Sequence, residues 1–144
     1  MYETILVPTD GSTEGDKGAR EAVDLAAALG ATLHGLYVVQ EGGNPWESEP
    51  MEDQLSRAEE YGQGVLDEVG GQAADAGVSY ESDVKVGPAV HEKIIGYAEE
   101  NDVDLIVMGS GYHGQIGGLL GSTADKVLRA AEIPVLTVRR TDRE

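Results

Sequence analysis

An α/β fold built on a parallel sheet is what this chain of 144 residues predicts. Three observations carry the expectation. Short apolar runs ("TILVPTD", "TLHGLYVVQ", "VDLIVMG", "IPVLTVRR") alternate with longer stretches whose apolar residues recur at helical spacing. The run "VDLIVMG" is apolar almost without a break, the pattern of a strand covered on both faces. The strict alternation of strand and helix is what a sheet wrapped by helices on both faces requires. No composition break divides the chain, so a single domain over residues 1–144 is expected, long enough to bury roughly two-thirds of its unfolded surface.

The elements follow in order. "TILVPTD" is a short apolar run ending in turn residues, a buried strand. A helix follows: Ser12 or Thr13 can cap its start, Glu14 and Asp16 suit its N-terminus, and Gly30 suits its stop. Ala22, Leu25, Ala26 and Leu29 make its apolar face. "TLHGLYVVQ" is the second strand, where Gly35 signals a close backbone approach. "EGGNPWESEP" has the composition of a loop. Leu55, Ala58, Gly62, Val65, Leu66 and Val69 then trace a second helical stripe, weakened by its glycines. "VSYESDVKVG" alternates apolar and polar residues, as a half-buried strand at a sheet edge does. In "GPAVHEKIIGYAEEN", Pro88 is expected at the first helical position, with Val90, Ile94 and Ala98 facing inward. "VDLIVMG" is a central strand. "STADKVLRAAE" is the last helix, with Ala124, Val127, Leu128 and Ala131 on one face, and Ser122 and Asp125 at capping-box spacing. "IPVLTVRR" is the final strand. The order is β-α-β-α-β-α-β-α-β. In such sheets ligands sit beyond the C-terminal strand ends, where strand order reverses. Two such ends are rich in small and polar residues: Thr9–Ser12, and Gly109–Ser122.

Charge narrows the partners. Asp and Glu number 27 against 10 Lys and Arg, for a net charge of −17. Nucleic acid and anionic membrane, which both need basic patches, are not expected partners. No stretch approaches the ~18 consecutive apolar residues of a membrane span, and no secretory leader is read at the N-terminus. With no cysteine, disulfides, thiolate metal sites and cysteine nucleophiles are excluded, and a cytoplasmic location is expected. Acid excess without low complexity, in a chain with an intact core, points to a halophilic source: at ~1 M salt the Debye length is about 3 Å, so self-repulsion is screened.

Residues 109–121 hold six glycines. A P-loop needs Lys and then Ser or Thr after its second glycine, and Gln115 and Ile116 stand there instead. Gly109-Ser110-Gly111-Tyr112-His113-Gly114 fits G-x-G-x-x-G and follows a strand. That dinucleotide motif should itself open the helix, with an acid downstream, whereas the helix waits until Ser122 and the matching region holds Arg129. A mobile loop is the bland alternative. The reading favoured is a phosphate cradle of another type, with the N–H groups of Gly121, Ser122 and Thr123 pointing at phosphates from a helix N-terminus. In a protein this acidic, a divalent cation such as Mg²⁺ on the triphosphate would limit repulsion.

"ILVPTDGS", "DLIVMGS" and "LLGSTADKVLRAAEIPVLTVRR" together closely resemble the universal stress protein family, over the whole chain. The resemblance implies an adenine nucleotide alpha hydrolase-like fold with a five-stranded parallel sheet in the order 3-2-1-4-5. It implies homodimers formed through the last strand and, in a large subgroup, ATP bound by a loop of the form G-x2-G-x9-G-[S/T]. By position it gives Asp10 the ribose, with Pro8 and Thr9 shaping that turn, and Val38 the adenine through its backbone. It passes Met108 and Gly109 under the nucleotide and gives the phosphates to Gly111, Gly114, Gly121 and Ser122, with Thr123 adding an amide. Six residues, not nine, separate Gly114 from Gly121, so the glycine loop is altered. Two functions follow: an ATP-binding stress sensor or regulator, or a nucleotide-independent interaction module that has lost ATP.

Other polar residues read more simply. Asp10 suits a turn or helix cap as well as a ligand. His113 reads as a solvated loop residue, and His34 and His91 have no metal-type partner nearby. Trp46 reads as loop packing. Asp102 and Asp104 resemble a metal pair, although Asp104 is more simply the residue that starts a strand. No nucleophile–base constellation is visible, so no enzyme is expected; slow ATP hydrolysis is ranked last.

Overall fold

The computed structural model describes residues 2–41, 51–110 and 121–139. Its elements are β1 (Thr4–Pro8), α1 (Thr13–Leu29), β2 (Thr32–Gln40), α2 (Met51–Asp75), β3 (Tyr80–Gly87), α3 (Val90–Glu100), β4 (Leu105–Ser110), α4 (Ser122–Ala130) and β5 (Val135–Arg139). The five strands form one parallel sheet in the order β3-β2-β1-β4-β5. This is the expected topology, with β3 and β5 at the edges.

Strand alternation divides the core into two layers. Ile5 and Val7 of β1 point to the side packed by Ala19, Ala22, Val23 and Ala26 of α1 and by Val69 and Ala73 of α2. Leu6 points to the other side, with Leu36, Ile94, Ile106, Met108 and Val127. The two sides together exclude water from both faces of the central strands. Leu105, Ile106, Val107 and Met108 are all buried, as expected of a central strand.

Several local expectations hold. Ser12 caps α1 by accepting from Gly15 N, and Gly30 ends it in the left-handed region at φ 68°. Gly35 is a close approach, because a Cβ there would run into Tyr80 Oη and sit 3.0 Å from Leu66 Cδ2. Tyr80 fills that notch and donates to Leu66 O at 2.8 Å. Asp104 is structural: its Oδ2 accepts from Glu3 N and Thr4 N, both at 2.9 Å, which ties the start of β1 to β4.

Three expectations need correction. Pro88 is not the first residue of α3; Ala89 is the N-cap, in extended conformation, and the Pro88 carbonyl accepts from Gln40 Nε2 instead of joining the helix. The Ser122–Asp125 capping box does not form. Gly121 takes the cap position at φ −64°, ψ 156°, Ser122 is already helical, and the Asp125 carboxylate pairs with Arg129 Nε at 3.0 Å. A serine must be extended to turn its hydroxyl back onto the first amides. Leu29 and Leu128 do not belong to the buried faces, being 47% and 39% exposed. The face of α1 is instead centred on Ala19 and Val23, because its small residues let the helix lie close to the sheet.

Candidate functional site

The strand order reverses at β1, which pairs with β2 on one side and β4 on the other. At the C-terminal ends of these strands lies a crevice of about 380 Å³. Pro8 lines it at the end of β1 and Thr9 and Asp10 just after, Val38 from β2, Met108 and Gly109 from β4, and Gly121, Ser122 and Thr123 at the start of α4. The structure thus brings together nine of the residues named from the sequence. The other two, Gly111 and Gly114, lie outside the described residues, as do His113 and Trp46.

Local hydrogen bonds shape the β1 end. Thr9 N donates to Leu36 O at 2.9 Å, continuing the ladder one step past the strand. Thr9 is 7% exposed, and its Oγ1 accepts from Gly11 N at 3.2 Å. Asp10 is exposed, and its Oδ1 accepts from Ser12 N at 2.9 Å. This is the turn-forming role such a residue takes between strand and helix. Gly11 sits at φ 80°, a backbone conformation that favours glycine.

Glycine lets α1 approach β4. A Cβ on Gly109 would run into the backbone of Glu14, and one on Gly18 would stand 2.7 Å from Gly109 N. A Cβ on Gly15 would stand 2.6 Å from Thr9 Oγ1. These contacts hold the first turn of α1 against the ends of β1 and β4. They also bring Glu14, 5% exposed, into the wall of the crevice.

Sequence reasoning missed Glu14, Gly15, Leu36, Gln40, Val90, Ile94 and Ala124, which also line the crevice. The signals were present. Leu36, Val38 and Gln40 alternate along one face of β2, and Val90 and Ile94 lie one turn apart on α3.

The described lining is acidic. Asp10 and Glu14 are the acidic residues of the described lining, which contains no Lys or Arg. Gly121 caps α4 and, having no side chain, makes no side-chain cap bond to the first amides of that helix. Among the described residues no group of three or more His, Asp or Glu could hold a metal ion. His34, buried beneath α3, sits 2.7 Å from Tyr97 Oη through Nδ1. Burial first, and then Asp83 and Glu81, push Tyr97 up to about 12, so its hydroxyl keeps its proton at neutral pH. Tyr37, on the opposite side of the sheet, is raised by burial, then by Tyr61 and Asp10. Among the described residues no helix is long and apolar enough to cross a membrane.

An open parallel α/β domain with a crevice at its switch point defines a protein of the adenine nucleotide alpha hydrolase-like fold. The comparisons narrow this. The family model described as "Universal stress protein family" matches residues 1–139, and the chain belongs to that family. It is 34% identical to a universal stress protein of Methanocaldococcus jannaschii, over 100% of this chain and 86% of that one. It is 34% identical to universal stress protein YxiE of Bacillus subtilis, over 96% and 100%. A crystal structure of a family protein from Burkholderia pseudomallei superposes with a TM-score of 0.81 at 30% identity, covering 95% of this chain and 96% of that one. A universal stress protein solved in complex with cAMP superposes at 0.73 and 27% identity, covering 97% and 99%.

Proposed function

We propose that this protein is a homodimeric universal stress protein that binds ATP in the crevice and acts as a cytoplasmic sensor or regulator, with residues 1–144 working as one domain. The observation that carries the reading is the start of α4, where Gly121, Ser122 and Thr123 line the same crevice as Thr9 and Asp10 and the cap residue makes no side-chain bond. An uncapped helix start is an anion receptor, since its amides and dipole supply positive potential without lysine. The related structure solved with cAMP supports an adenine nucleotide. In this reading Asp10 meets the ribose, Val38 the base, and Met108 and Gly109 pass beneath the nucleotide; Gly111 and Gly114 complete the phosphate contacts. Asp10 and Glu14 add negative charge to the wall, so the triphosphate arrives with Mg²⁺ rather than meeting a metal held by protein alone. The last strand, β5, is a sheet edge with Leu136 39% exposed. Pairing it with a second copy would satisfy its open backbone groups. The acidic surface suits work at high salt.

Denaturing the purified protein and analysing the supernatant is expected to release adenine nucleotide, and calorimetric titration with MgATP in molar salt is expected to give saturable heat. No release and no heat at millimolar MgATP would overturn the reading. The six-residue spacing from Gly114 to Gly121 favours the second reading, a nucleotide-independent interaction module, and that outcome would select it.

A further inference from the structure

We infer that Tyr61 is a positioning residue: reaching from α2, it holds in place the turn that presents Asp10 to the crevice. This rests on the nucleotide reading and goes past it, to what fixes the β1 end of the site from outside.

Tyr61 is not part of the crevice lining. Its side chain lies on the turn between β1 and α1. A Cβ built on Gly11 would stand 2.8 Å from Tyr61 Oη, 2.9 Å from Val65 Cγ2 and 3.4 Å from Tyr61 Cζ, so the nearest atoms beyond its chain neighbours all belong to α2. Helix α1 bears on the turn as well, since a Cβ on Gly15 would stand 2.6 Å from Thr9 Oγ1 and 3.0 Å from Asp10 Oδ1. The bonds from Gly11 N to Thr9 and from Ser12 N to Asp10 set the shape of the turn, but both lie within it. Its placement on the sheet comes from the two helices packed on it.

The same ring reaches β2. Tyr61 meets Tyr37 edge-on, with ring centroids 6.0 Å apart and planes at 70°, and a Cβ on Gly62 would run into the Tyr37 ring. Tyr37 stands between Leu36 and Val38, which line the crevice from the opposite face of β2. Asp10 is close enough for its charge to help raise the Tyr37 phenol, after burial and Tyr61. Tyr61 thus joins the turn that carries Asp10 to the strand that carries Val38. Because Tyr61 is 57% exposed, little of the core depends on it.

The experiment is a double-mutant cycle read by MgATP calorimetry on the wild type, Tyr61→Ala, Asp10→Ala and the double variant, with circular dichroism and urea unfolding to check the fold. Tyr61→Ala is expected to weaken binding about tenfold when Asp10 is present, and by less than about twofold when Asp10 is already alanine, since residues that act through one another are not additive. Tyr61→Phe keeps the ring on the turn and is expected to bind within about twofold of wild type. Tyr61→Leu keeps an apolar side chain but not the reach to Gly11; it is expected to follow Tyr61→Ala, and takes its place in the cycle if the alanine variant does not fold. Wild-type affinity in Tyr61→Ala and Tyr61→Leu would overturn the inference. So would an equal loss with and without the Asp10 carboxylate, which is what a general loosening of the fold produces. Either result leaves the nucleotide reading standing. A wild-type protein that binds no MgATP removes the nucleotide reading, and this inference with it.

Discussion

Two helix N-termini face the same crevice and are finished in opposite ways. At α1 the side chains close the backbone: Ser12 Oγ accepts from Gly15 N at 3.1 Å, Asp10 Oδ1 from Ser12 N, and Thr9 Oγ1 from Gly11 N. At α4 the cap is Gly121, which has no side chain with which to bond the amides. A helix start has four amides without partners inside the helix. Where side chains take them, the helix end is scaffold. Where nothing does, the amides remain for an anion. In the proposed reading the β1 side of the crevice supplies shape and the α4 side supplies charge.

The largest expected effect tests the contact that holds α1 in place. Gly109→Ala would drive a Cβ into the backbone of Glu14, which cannot give way as a side-chain tip can. A loss of about 3 kcal/mol is expected by urea unfolding, at the upper end for overpacking. Stability equal to wild type would mean that the two helix starts are not fixed by this crossing. A smaller loss, about 2 kcal/mol, is expected for Asp104→Ala, which strands the amides of Glu3 and Thr4 at the opposite end of the sheet. Since Asp104 does not line the crevice, MgATP affinity should be unchanged. A drop in affinity would show that the crevice depends on the whole of β1 and not on its C-terminal turn.

The same contrast explains how much was legible beforehand. The element order could be read because each strand carries a continuous or alternating apolar pattern, and each helix a repeat of three to four residues. Ser12 and Gly30 could be read because cap chemistry is local. What could not be read depends on which residue takes an extended conformation. Ser122 and Asp125 have capping-box spacing, yet the chain turns into the helix one residue earlier, at Gly121. Spacing alone does not reveal that shift. Pro88 is a similar case: its position suits a helix start, but the Gln40 amide across the β2–β3 pair holds its carbonyl instead. Gly15 was invisible because its need for a missing side chain comes from Thr9 Oγ1 across the turn. The strand order and the assignment of ligand roles came from family resemblance, and the structure reproduces the order while placing nine of the named residues around one crevice.

The comparison sharpens most directly at Gly121. Gly121→Asp would supply the missing side-chain cap and place a carboxylate where the triphosphate is proposed to dock. The two consequences run in opposite directions. Stability should rise by only a few tenths of a kcal/mol, since glycine is already a tolerable cap. MgATP affinity should fall by at least about tenfold, which corresponds to about 1.4 kcal/mol. An unchanged affinity would remove the anion role of the α4 N-terminus.

The smallest effect concerns the closed helix start. Ser12→Ala removes the hydroxyl that accepts from Gly15 N, and a loss of about 1 kcal/mol is expected by thermal or urea unfolding. The amide it frees lies beside the Thr9–Asp10 turn, where the Asp10 carboxylate still accepts from Ser12 N. An anion gains little from one amide next to a carboxylate, so calorimetry should find MgATP affinity within about twofold of wild type. Tighter binding in Ser12→Ala would break the comparison, because both helix starts would then be competing for the same phosphates and the serine would be acting as a plug. Weaker binding by an order of magnitude would break it the other way, by making the Ser12 hydroxyl a ligand and not a cap.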